Sequence, residues 1–531
     1  MDDILIRGGT VVDGTGGPGR VADVAVRDGR IAAVEPGRSD GAARTIDAHG
    51  MVVAPGFIDI HTHSDFSLPL NPRAEAKIRQ GVTTEVVGNC GISVAPALPG
   101  KVEMLARYLS ASAPWLSFEE TDFARYMDGW PAIAVNTVMQ VGHNTIRLMA
   151  MGTENRAPRA DEMAHMEAML AEGLEAGALG LSSGLFTTPG CYAGREEMRA
   201  LGRVLKAHGG RYSSHVRDEA DGVHDAIAEA IDVGEHAGIH VQLAHMKLSG
   251  TARWGEAARL LKTVADARAR GVDVHGDQYP YDWASNPLRF LLPTWTQEGG
   301  LEAMLARLAD PYVRARIRQK LAEVGFNNFG QVESWADIRI AISPTAEAGR
   351  TIEQIARERG CDPLDAVCDI IVADKGATRI IVRSMSEADV RTIVANAEAL
   401  VGSDGPCVAP YGITGQGKPH PRLYGTFPRV IGLYARDLGL LSLPQAIRKM
   451  TGGAAEALGM PDRGLLRTGQ AADVVVFDPA TIAERATYDD PHQYAAGIET
   501  VIVNGTIAID GGEHTGALPG RVLRRRGTVL G

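Results

Sequence analysis

Cysteine is scarce in this sequence: the chain has 5 cysteines among 531 residues. They are not spaced in pairs, so the sequence argues against a disulfide framework and is typical of free thiols in a reducing cytoplasm. The sequence also has no run of about 18 apolar residues, and we therefore expect no membrane span. The first residues, MDDILIRGG, lack the basic start and the apolar stretch of a secretory signal. Together these absences predict a cytoplasmic protein.

The sequence also has fewer positive than negative charges, since the formal net charge is −11 at pH 7. This balance argues against a general nucleic-acid binder, and the three arginines at 524–526 are more typical of a solvated chain end. Hydrophobic residues (45%) and charged residues (22%) occur as in globular proteins. The length allows two or three domains. We expect neither a nucleic-acid nor a membrane partner, and the sequence leaves open whether the chain forms a homo-oligomer.

The two ends of the chain carry the same pattern of strands and turns. Residues 1–55 alternate apolar and polar positions between turns, and Asp28-Gly29 is a strong hairpin signal. A matching pattern returns at residues 473–477 and 500–507. Neither end has enough strands to bury a core alone. We therefore predict that residues 1–55 and 459–531 together form one small flanking β-sandwich.

Between the two ends, strand-like runs alternate with helical runs, which is typical of stacked βα units and a parallel sheet. Eight such units predict an α/β fold, a TIM (β/α)8 barrel over residues 56–458, with its chemistry at the C-terminal ends of the strands. The eight candidate strands are FIDIHTH, TTEVVGNCG, AVNTVMQVGH, ALGLSSGL, RYSSHVRDE, HVQLAHMK, VDVHGDQYPY and ALVGSDG.

The spacing of these units becomes uneven late in the chain. From His245 to Asp404 the sequence is longer than two βα units require. The surplus predicts an insertion after strand 7, at residues 287–350, with a helix and a strand of its own. Insertions at this face of a barrel often cover the site, so we expect a lid or a wall of the substrate pocket.

Six polar residues are expected to meet where the predicted strands end. His61 and His63 are two apart on one strand and therefore point the same way. Imidazole, thiolate and carboxylate groups together suit a Zn²⁺-type ion. The alternative is that all six are structural, which requires six coincidences at one rim. The six are His61, His63, Cys90, His215, His245 and Asp404.

These residues lie in segments that resemble the amidohydrolase superfamily and, within it, the N-acyl-D-amino-acid deacylases (D-aminoacylases). The resemblance covers nearly the whole chain. Its distinctive mark is a cysteine at the end of strand 2, because many relatives place a carbamylated lysine after strand 4, where this sequence reads GLSSGL. The matching segments are PGFIDIHTHSD, QGVTTEVVGNCGIS, GALGLSSGL, YSSHVRDE, AHMK, DQYPY, GSDG, HPRLYGTFPR, KMTGGAAEALGM, RGLLRTGQAADVVVFDP and VIVNG.

The resemblance implies a tightly held Zn²⁺ on Cys90, His215 and His245. The other two histidines of the set match a second, weaker metal position that shares Cys90 or Asp404, and whether one or two ions are needed stays open. Asp404 matches the general acid/base of the family. The chemistry agrees, because zinc lowers the pKa of a bound water to about 7, and a nearby carboxylate can accept its proton and pass it to the departing amine.

The resemblance also implies a small-molecule substrate with a free carboxylate. Lys247 lies two residues after His245 and matches a lysine that contacts the substrate carboxylate in the resembling enzymes. Four further residues match partners of the substrate carboxylate or carbonyl: Tyr279, Tyr281, Ser285 and Arg422. The alternative for Lys247 and Arg422 is a surface charge, and for Tyr281 it is core packing. Asp277 and Arg217 are candidates for orienting the metal histidines.

We therefore predict a zinc-dependent hydrolase that cleaves the amide bond of N-acyl-D-amino acids to a carboxylate and a free D-amino acid. A second hypothesis is another amidohydrolase, which opens a cyclic amide or cleaves a different amide-linked carboxylate, such as a dipeptide or an aromatic amide. A third is a non-catalytic scaffold, which the retention of all six candidate residues argues against. We see no second basic residue dedicated to an acidic side chain, so the sequence favours neutral, apolar substrates over N-acyl-D-aspartate or N-acyl-D-glutamate.

Overall fold

Strands from both ends of the chain pair into one nine-stranded sheet in the computed structural model, which describes residues 1–38 and 41–531. Val474–Phe477 lies edge to edge, antiparallel, with Val52–Pro55. This pairing joins the strands of the two chain ends, so that all nine belong to one hydrogen-bonded sheet. The strands are Asp2–Val11, Arg20–Arg27, Arg30–Glu35, Ala42–Asp47, Val52–Pro55, Val474–Phe477, Ile498–Val503, Thr506–Asp510 and Glu513–His514.

The strand Val474–Phe477 is apolar throughout because both of its faces are buried. Val474 and Val476 pack with the N-terminal strands on one face. Val475 and Phe477 turn to the other face, where the ring of Phe57 lies 6.4 Å from that of Phe477. Each such buried side chain contributes about 1.5–3 kcal/mol of transfer free energy. The terminal sheet therefore packs against the central part of the chain through this face.

Parallel strands occupy the central part, and each of the eight predicted strands is present. They form a six-stranded and a three-stranded sheet, and a single residue, Gln140, separates the last strand of one from the first of the other. The carboxyl ends of parallel strands share one edge. The strands are Phe57–Asp59, Val82–Val87, Asn136–Met139, Val141–Gly142, Gly180–Gly184, Arg211–His215, Val241–Leu243, Val274–Gln278 and Ala399–Val401.

Helices follow most of these strands and bury one face on them. Val223–Ala237, for example, buries Ile227 and Ile231 and ends at Gly238, whose φ of 64° is the left-handed conformation common after a helix. No helix in the described chain has the length and apolarity needed to cross a bilayer. The α-helices are Glu75–Ile78, Val102–Leu109, Phe123–Asp128, His143–Met151, Ala160–Glu175, Arg195–His208, Val223–Ala237, Ala257–Ala269, Leu301–Ala309, Pro311–Val324, Ile352–Arg359, Pro363–Ala373, Glu387–Ala395, Arg422–Arg429, Leu443–Met450 and Gly452–Leu458, and Val430–Asp437 is π-helical.

A separate antiparallel sheet, which we call the inserted sheet, consists of Ala284–Pro287, Ile338–Ile342 and Arg379–Val382, with the last strand in the middle. Its middle strand lies beyond residue 350. On one face, Ile380 and Val382 pack with the neighbouring helices of this segment. Residues Ala284–Pro287, Ile342 and Arg379 line a cavity at the C-terminal ends of the parallel strands.

Candidate metal centre and active site

The residues predicted as metal ligands converge at the C-terminal ends of the parallel strands. His215 is the last residue of its strand, His245 follows Val241–Leu243 by two residues, and Cys90 follows Val82–Val87 by three. Cys90 Sγ lies 3.4 Å from His245 Nε2. Ligand atoms of Cys90, His215 and His245 all lie within 4.8 Å of one another. A thiolate and two imidazoles at this spacing form a donor set suited to Zn²⁺.

A second group of ligands shares the same cysteine. His61, His63, Cys90 and Asp404 offer ligand atoms that also lie within 4.8 Å of one another. His61 Nε2 is 3.3 Å from Cys90 Sγ, and His63 Nε2 is 3.2 Å from Asp404 Oδ1. The structure thus brings all six predicted residues to one rim, with the Cys90 sulfur between the two groups.

Three of these residues have an uncommon backbone conformation. Cys90, His245 and Asp404 have φ values of 54°, 33° and 50°, in the left-handed region that non-glycine residues rarely adopt. Such conformations concentrate at functional sites, where the surrounding structure holds them. Gly91 shows how tightly this turn is held, because a Cβ added there would collide with Asn144 Oδ1 and lie 2.5 Å from the backbone nitrogen of Gly184. The turn after strand Val82–Val87 therefore requires glycine next to the cysteine.

Positive side chains in and beside the metal-ligand cluster stabilise the ionised forms of its thiol and its carboxyl group. Burial by itself would raise the pKa of the Cys90 thiol, but the positive charges of His61 and His245 outweigh it and hold that pKa well below its ordinary value. Burial likewise opposes ionisation of Asp404, but the Arg422 guanidinium, followed by His245, holds the pKa of Asp404 well below its ordinary value. A thiolate and a carboxylate therefore face the same group of imidazoles.

The donor set fits a divalent cation of the zinc type. It combines soft thiolate with imidazole and carboxylate, the ligand types that Zn²⁺ prefers. The ligand atoms of each group lie within 4.8 Å of one another, which is close enough for one ion to reach them.

Asp277, a candidate for orienting the metal histidines, contacts two of them. One of its oxygens lies 3.2 Å from His61 Nδ1, and the other accepts a hydrogen bond from the backbone nitrogen of His245 at 2.8 Å. Carboxylates in this position hold imidazole rings in place for a metal. Arg217 does not share this role, because its guanidinium pairs with Glu229 and donates to the carbonyl oxygen of Cys191.

Sequence reasoning missed Glu219. One oxygen of this buried carboxylate lies 3.1 Å from His245 Nδ1 and accepts a hydrogen bond from Lys247 Nζ at 2.6 Å. The same oxygen is 3.2 Å from His215 Nε2, although not in hydrogen-bonding geometry. Burial opposes ionisation, but Lys247 and His215 lower the pKa of Glu219 below its ordinary value. Its position four residues after His215, in HVRDE, is the signal that could have revealed it.

The predicted substrate-binding residues divide into two sets. Lys247, Tyr279, Ser285 and Arg422 line one cavity together with Cys90, His63, His215, His245, Asp404 and Arg379. Tyr281 does not line it: its hydroxyl donates to Glu484 at 2.7 Å and its ring packs in a buried cluster. The structure therefore corrects the assignment of Tyr281 to substrate binding, since its side chain points away from the cavity towards the C-terminal part of the chain.

Two cations in this cavity are already paired with site carboxylates. Arg422 forms an ion pair with Asp404 at 2.9 Å, and its guanidinium lies 4.4 Å from the centre of the Tyr279 ring. Lys247 pairs with Glu219 and also lies 2.6 Å from His245 Nδ1. Burial raises the pKa of Tyr279 to about 12, so its hydroxyl keeps its proton near neutral pH. These groups present hydrogen-bond donors beside the metal-ligand cluster.

Comparisons with known proteins agree with this geometry. The model of the amidohydrolase family matches residues 44–509. An N-acyl-D-glutamate deacylase and a D-aminoacylase, both from Alcaligenes xylosoxydans xylosoxydans, are 39% and 38% identical over 100% and 98% of this chain, and each is covered to 98%. An N-acyl-D-aspartate deacylase from the same organism is 36% identical over 98% of the chain and 95% of its own length.

Solved structures give the same result. The N-acyl-D-glutamate deacylase of Bordetella bronchiseptica, complexed with zinc and a phosphonate inhibitor, has a TM-score of 0.83 at 36% identity and covers 99% of this chain and 100% of its own. A D-aminoacylase described with a binuclear metal centre has the same TM-score and coverage at 37% identity. The chain therefore belongs to the amidohydrolase family and, within it, to the N-acyl-D-amino-acid deacylases.

Proposed function

We propose that this chain is a zinc-dependent hydrolase that cleaves the amide bond of N-acyl-D-amino acids to a carboxylate and a free D-amino acid. The observation that carries the proposal is the meeting of Cys90, two histidines and Asp404 at a cavity that also presents cationic side chains. The relatives named N-acyl-D-glutamate deacylase and D-aminoacylase support it, because they align with this chain over almost its whole length.

The tighter zinc position is assigned to Cys90, His215 and His245. A second, weaker position would use His61 and His63 and share the thiolate or the carboxylate of the same group. A bound divalent cation would supply Lewis acidity, which activates water and polarises the scissile carbonyl. Asp277 and Glu219 would hold the ligand imidazoles in place, since both carboxylates lie against histidines of the cluster.

Asp404 is assigned as general base and then general acid. Its carboxylate is ionised near neutral pH, so it can accept a proton from the attacking water. The same oxygen atoms can then return that proton to the amine nitrogen as the amide bond breaks. The ion pair with Arg422 restricts where the carboxylate points, which favours one position for the proton transfer.

The α-carboxylate of the substrate is assigned to Lys247, Arg422, Tyr279 and Ser285. This carboxylate is attached to the carbon that bears the scissile nitrogen, so its partners must lie close to the reacting atoms. Arg422 and Lys247 meet this condition through their contacts with Asp404 and His245. The guanidinium, the ammonium and two hydroxyl groups can together hold an anion in one orientation.

We further propose that the parallel strands form one eight-stranded barrel over residues 56–458. Near its first and last strands, Asp59 accepts a hydrogen bond from the backbone nitrogen of Ser403 at 2.9 Å, and Lys77 donates to both side chains. A parallel bridge between Thr62 and Gly405 continues this seam. Residues 1–55 and 459–531 would be the flanking β domain, and the insertion at 287–350 would form a wall of the substrate pocket.

The test is hydrolysis of paired N-acetyl-D- and N-acetyl-L-amino acids by the purified chain with added zinc. Glutamate, aspartate, methionine and leucine derivatives cover acidic and apolar side chains. We expect the D-enantiomers to be hydrolysed and the L-enantiomers to be spared. Equal rates on both enantiomers, or hydrolysis of cyclic amides alone, would reject the proposal in favour of another amidohydrolase activity.

A further inference from the structure

One cation in the cavity is unlike the others. Arg379 opens the middle strand of the inserted sheet and pairs with Pro287 on one side and Ile342 on the other. Ser285 stands opposite Ile381, which is two residues from Arg379. Because side chains alternate along a strand, Arg379 and Ser285 project from the same face of the sheet. Both residues line the cavity that contains the metal-ligand cluster.

In the described part of the chain, Arg379 has a neutral hydrogen-bond partner. Its Nη1 donates to Ser112 Oγ at 3.1 Å, and among residues 1–38 and 41–531 no carboxylate lies within 4.0 Å of the guanidinium. Burial, and next the charge of Arg422, lower the pKa of Arg379 to about 10, while the charge of Asp404 opposes this shift in part, so the group remains positive near neutral pH. A partly buried cation that forms no ion pair is stabilised when a ligand supplies an anion in direct contact with it.

The three cations of the cavity, Arg422, Lys247 and Arg379, differ in whether they contact residues of the metal-ligand cluster. Arg422 and Lys247 touch Asp404 and His245 and so lie beside the reacting atoms. Arg379 belongs to the inserted sheet and forms an ion pair with neither of the site carboxylates, Asp404 and Glu219. When the α-carboxylate of an amino acid occupies the inner cations, Arg379 is the cation of the cavity lining that is left for an anionic side chain.

We propose that Arg379 is a specificity-determining residue that binds the side-chain carboxylate of an acidic D-amino acid, so that N-acyl-D-glutamate or N-acyl-D-aspartate is the preferred substrate class. This inference rests on the proposed function. Overall identity does not make the choice, since relatives named for D-glutamate, for D-amino acids in general and for D-aspartate are 39%, 38% and 36% identical to the chain. The inference also reverses the expectation of neutral substrates, which rested on finding no second basic residue in the sequence.

The first experiment compares kcat/KM of the zinc-loaded protein and its Arg379→Gln variant on N-acetyl derivatives of D-glutamate, D-aspartate, D-methionine and D-leucine. We expect the wild-type protein to favour an acidic substrate by about 100-fold, because a neutral side chain leaves the guanidinium unpaired. The variant should lose most of that advantage, mainly through a higher KM, while the neutral substrates change by only a few-fold. Arg379→Lys should restore part of the preference.

Arg383→Gln is the matched control, because Arg383 lies four residues further on and its side chain is mostly exposed. It should keep the wild-type preference. Hydrolysis of neutral N-acyl-D-amino acids in preference to acidic ones, or an equal loss on both classes in Arg379→Gln, would overturn the inference and leave the proposed function standing. Zinc content and circular dichroism would check that the variant is folded.

Binding separates the inference from the proposed function if none of these substrates is hydrolysed. Calorimetric titration with free D-glutamate and D-leucine measures the preference of the cavity without requiring catalysis. Tighter binding of D-glutamate that disappears in Arg379→Gln would support the role of Arg379 even though the proposed reaction had failed. Equal binding of the two amino acids would overturn that role.

Discussion

Cys90 is the residue on which both ligand groups depend, since its sulfur lies 3.3 Å from His61 Nε2 and 3.4 Å from His245 Nε2. Its low thiol pKa supplies an anion between imidazoles without an added base. Its left-handed backbone is held by the neighbouring Gly91 turn. No other single side chain belongs to both groups. The consequences of replacing it are therefore larger than those of replacing one histidine.

The variant Cys90→Ala should lose the tightly bound zinc, because two imidazoles are fewer than the three protein ligands of a catalytic zinc site. Elemental analysis of the purified protein measures this directly, and hydrolysis should fall with the metal. Cys368→Ala is the matched control, because Cys368 is also buried but lies in the helix Pro363–Ala373, away from the site. Full zinc occupancy in Cys90→Ala would show that the ligand set is wrong.

Replacing Asp404 should separate metal binding from catalysis. Asp404→Asn keeps an oxygen ligand and the size of the side chain but removes the base, so we expect zinc to stay bound and kcat to fall about 10²–10⁴-fold. Single-turnover kinetics together with zinc analysis would measure both effects. Asp437→Asn, on the π-helical segment, provides the control at an exposed aspartate. A near-wild-type rate in Asp404→Asn would remove its catalytic role.

At the scale of elements, the site is built from the last residues of the parallel strands and the turns that follow them, while the strands themselves are almost entirely buried. The turn after Val82–Val87 brings Cys90 back over the strand ends and packs Gly91 against Asn144 and Gly184. The inserted sheet forms part of the cavity wall, with Arg379 and Ser285 on its cavity face. Geometry at the metal cluster thus depends on close approach between backbone segments.

Gly91→Ala tests that dependence. The substitution adds a Cβ at φ 77° and at a position already filled by Asn144 and Gly184. Gly50→Ala is the control, because Gly50 has a similar φ of 79° with open space around it. We expect Gly91→Ala to lower the free energy of unfolding by about 1–3 kcal/mol more than the control and to weaken zinc binding. Equal losses in the two variants, measured by urea denaturation, would show that only backbone strain matters.

At the scale of the whole molecule, stability depends on buried groups far from the cavity. Lys449, in the helix Leu443–Met450, is buried and donates to the carbonyl oxygens of Val394 and Asn396. Burial lowers its pKa to about 7 from an ordinary value of 10.5, and Glu398 opposes the shift only in part. Between these two values the unfolded chain binds a proton that the folded chain has released.

This difference makes stability depend on pH. Because the unfolded state binds more protons in that window, Lys449 makes the free energy of unfolding rise as the pH increases from about 7 towards 10. Lys449→Met removes the titrating group. The free energy of unfolding of the variant should therefore exceed that of the wild-type protein most at pH 7 and by less at pH 9. Urea denaturation at pH 7, 8 and 9 measures the two slopes. The same pH dependence of the free energy of unfolding in both proteins would contradict the lowered pKa of Lys449.

Several features of the molecule could be predicted from the sequence because they are local. The eight strands show as short apolar runs, and the six ligand candidates follow strand ends, which parallel geometry brings to one edge. The limits of the insertion were less predictable. Its central strand, Arg379–Val382, is an apolar run like any other, and its pairing with Ala284–Pro287 joins segments more than ninety residues apart.

The sequence by itself determined the alternation of strands and helices, the residue types at the strand ends and the family resemblance, because each depends on neighbouring residues or on recurring segments. Only the tertiary structure decided that Arg379 lines the cavity, that Tyr281 binds Glu484 outside it, and that Glu219 lies against the site histidines. These are long side chains on turns and sheet edges. Their partners are set by register and packing between distant segments, which no local pattern encodes.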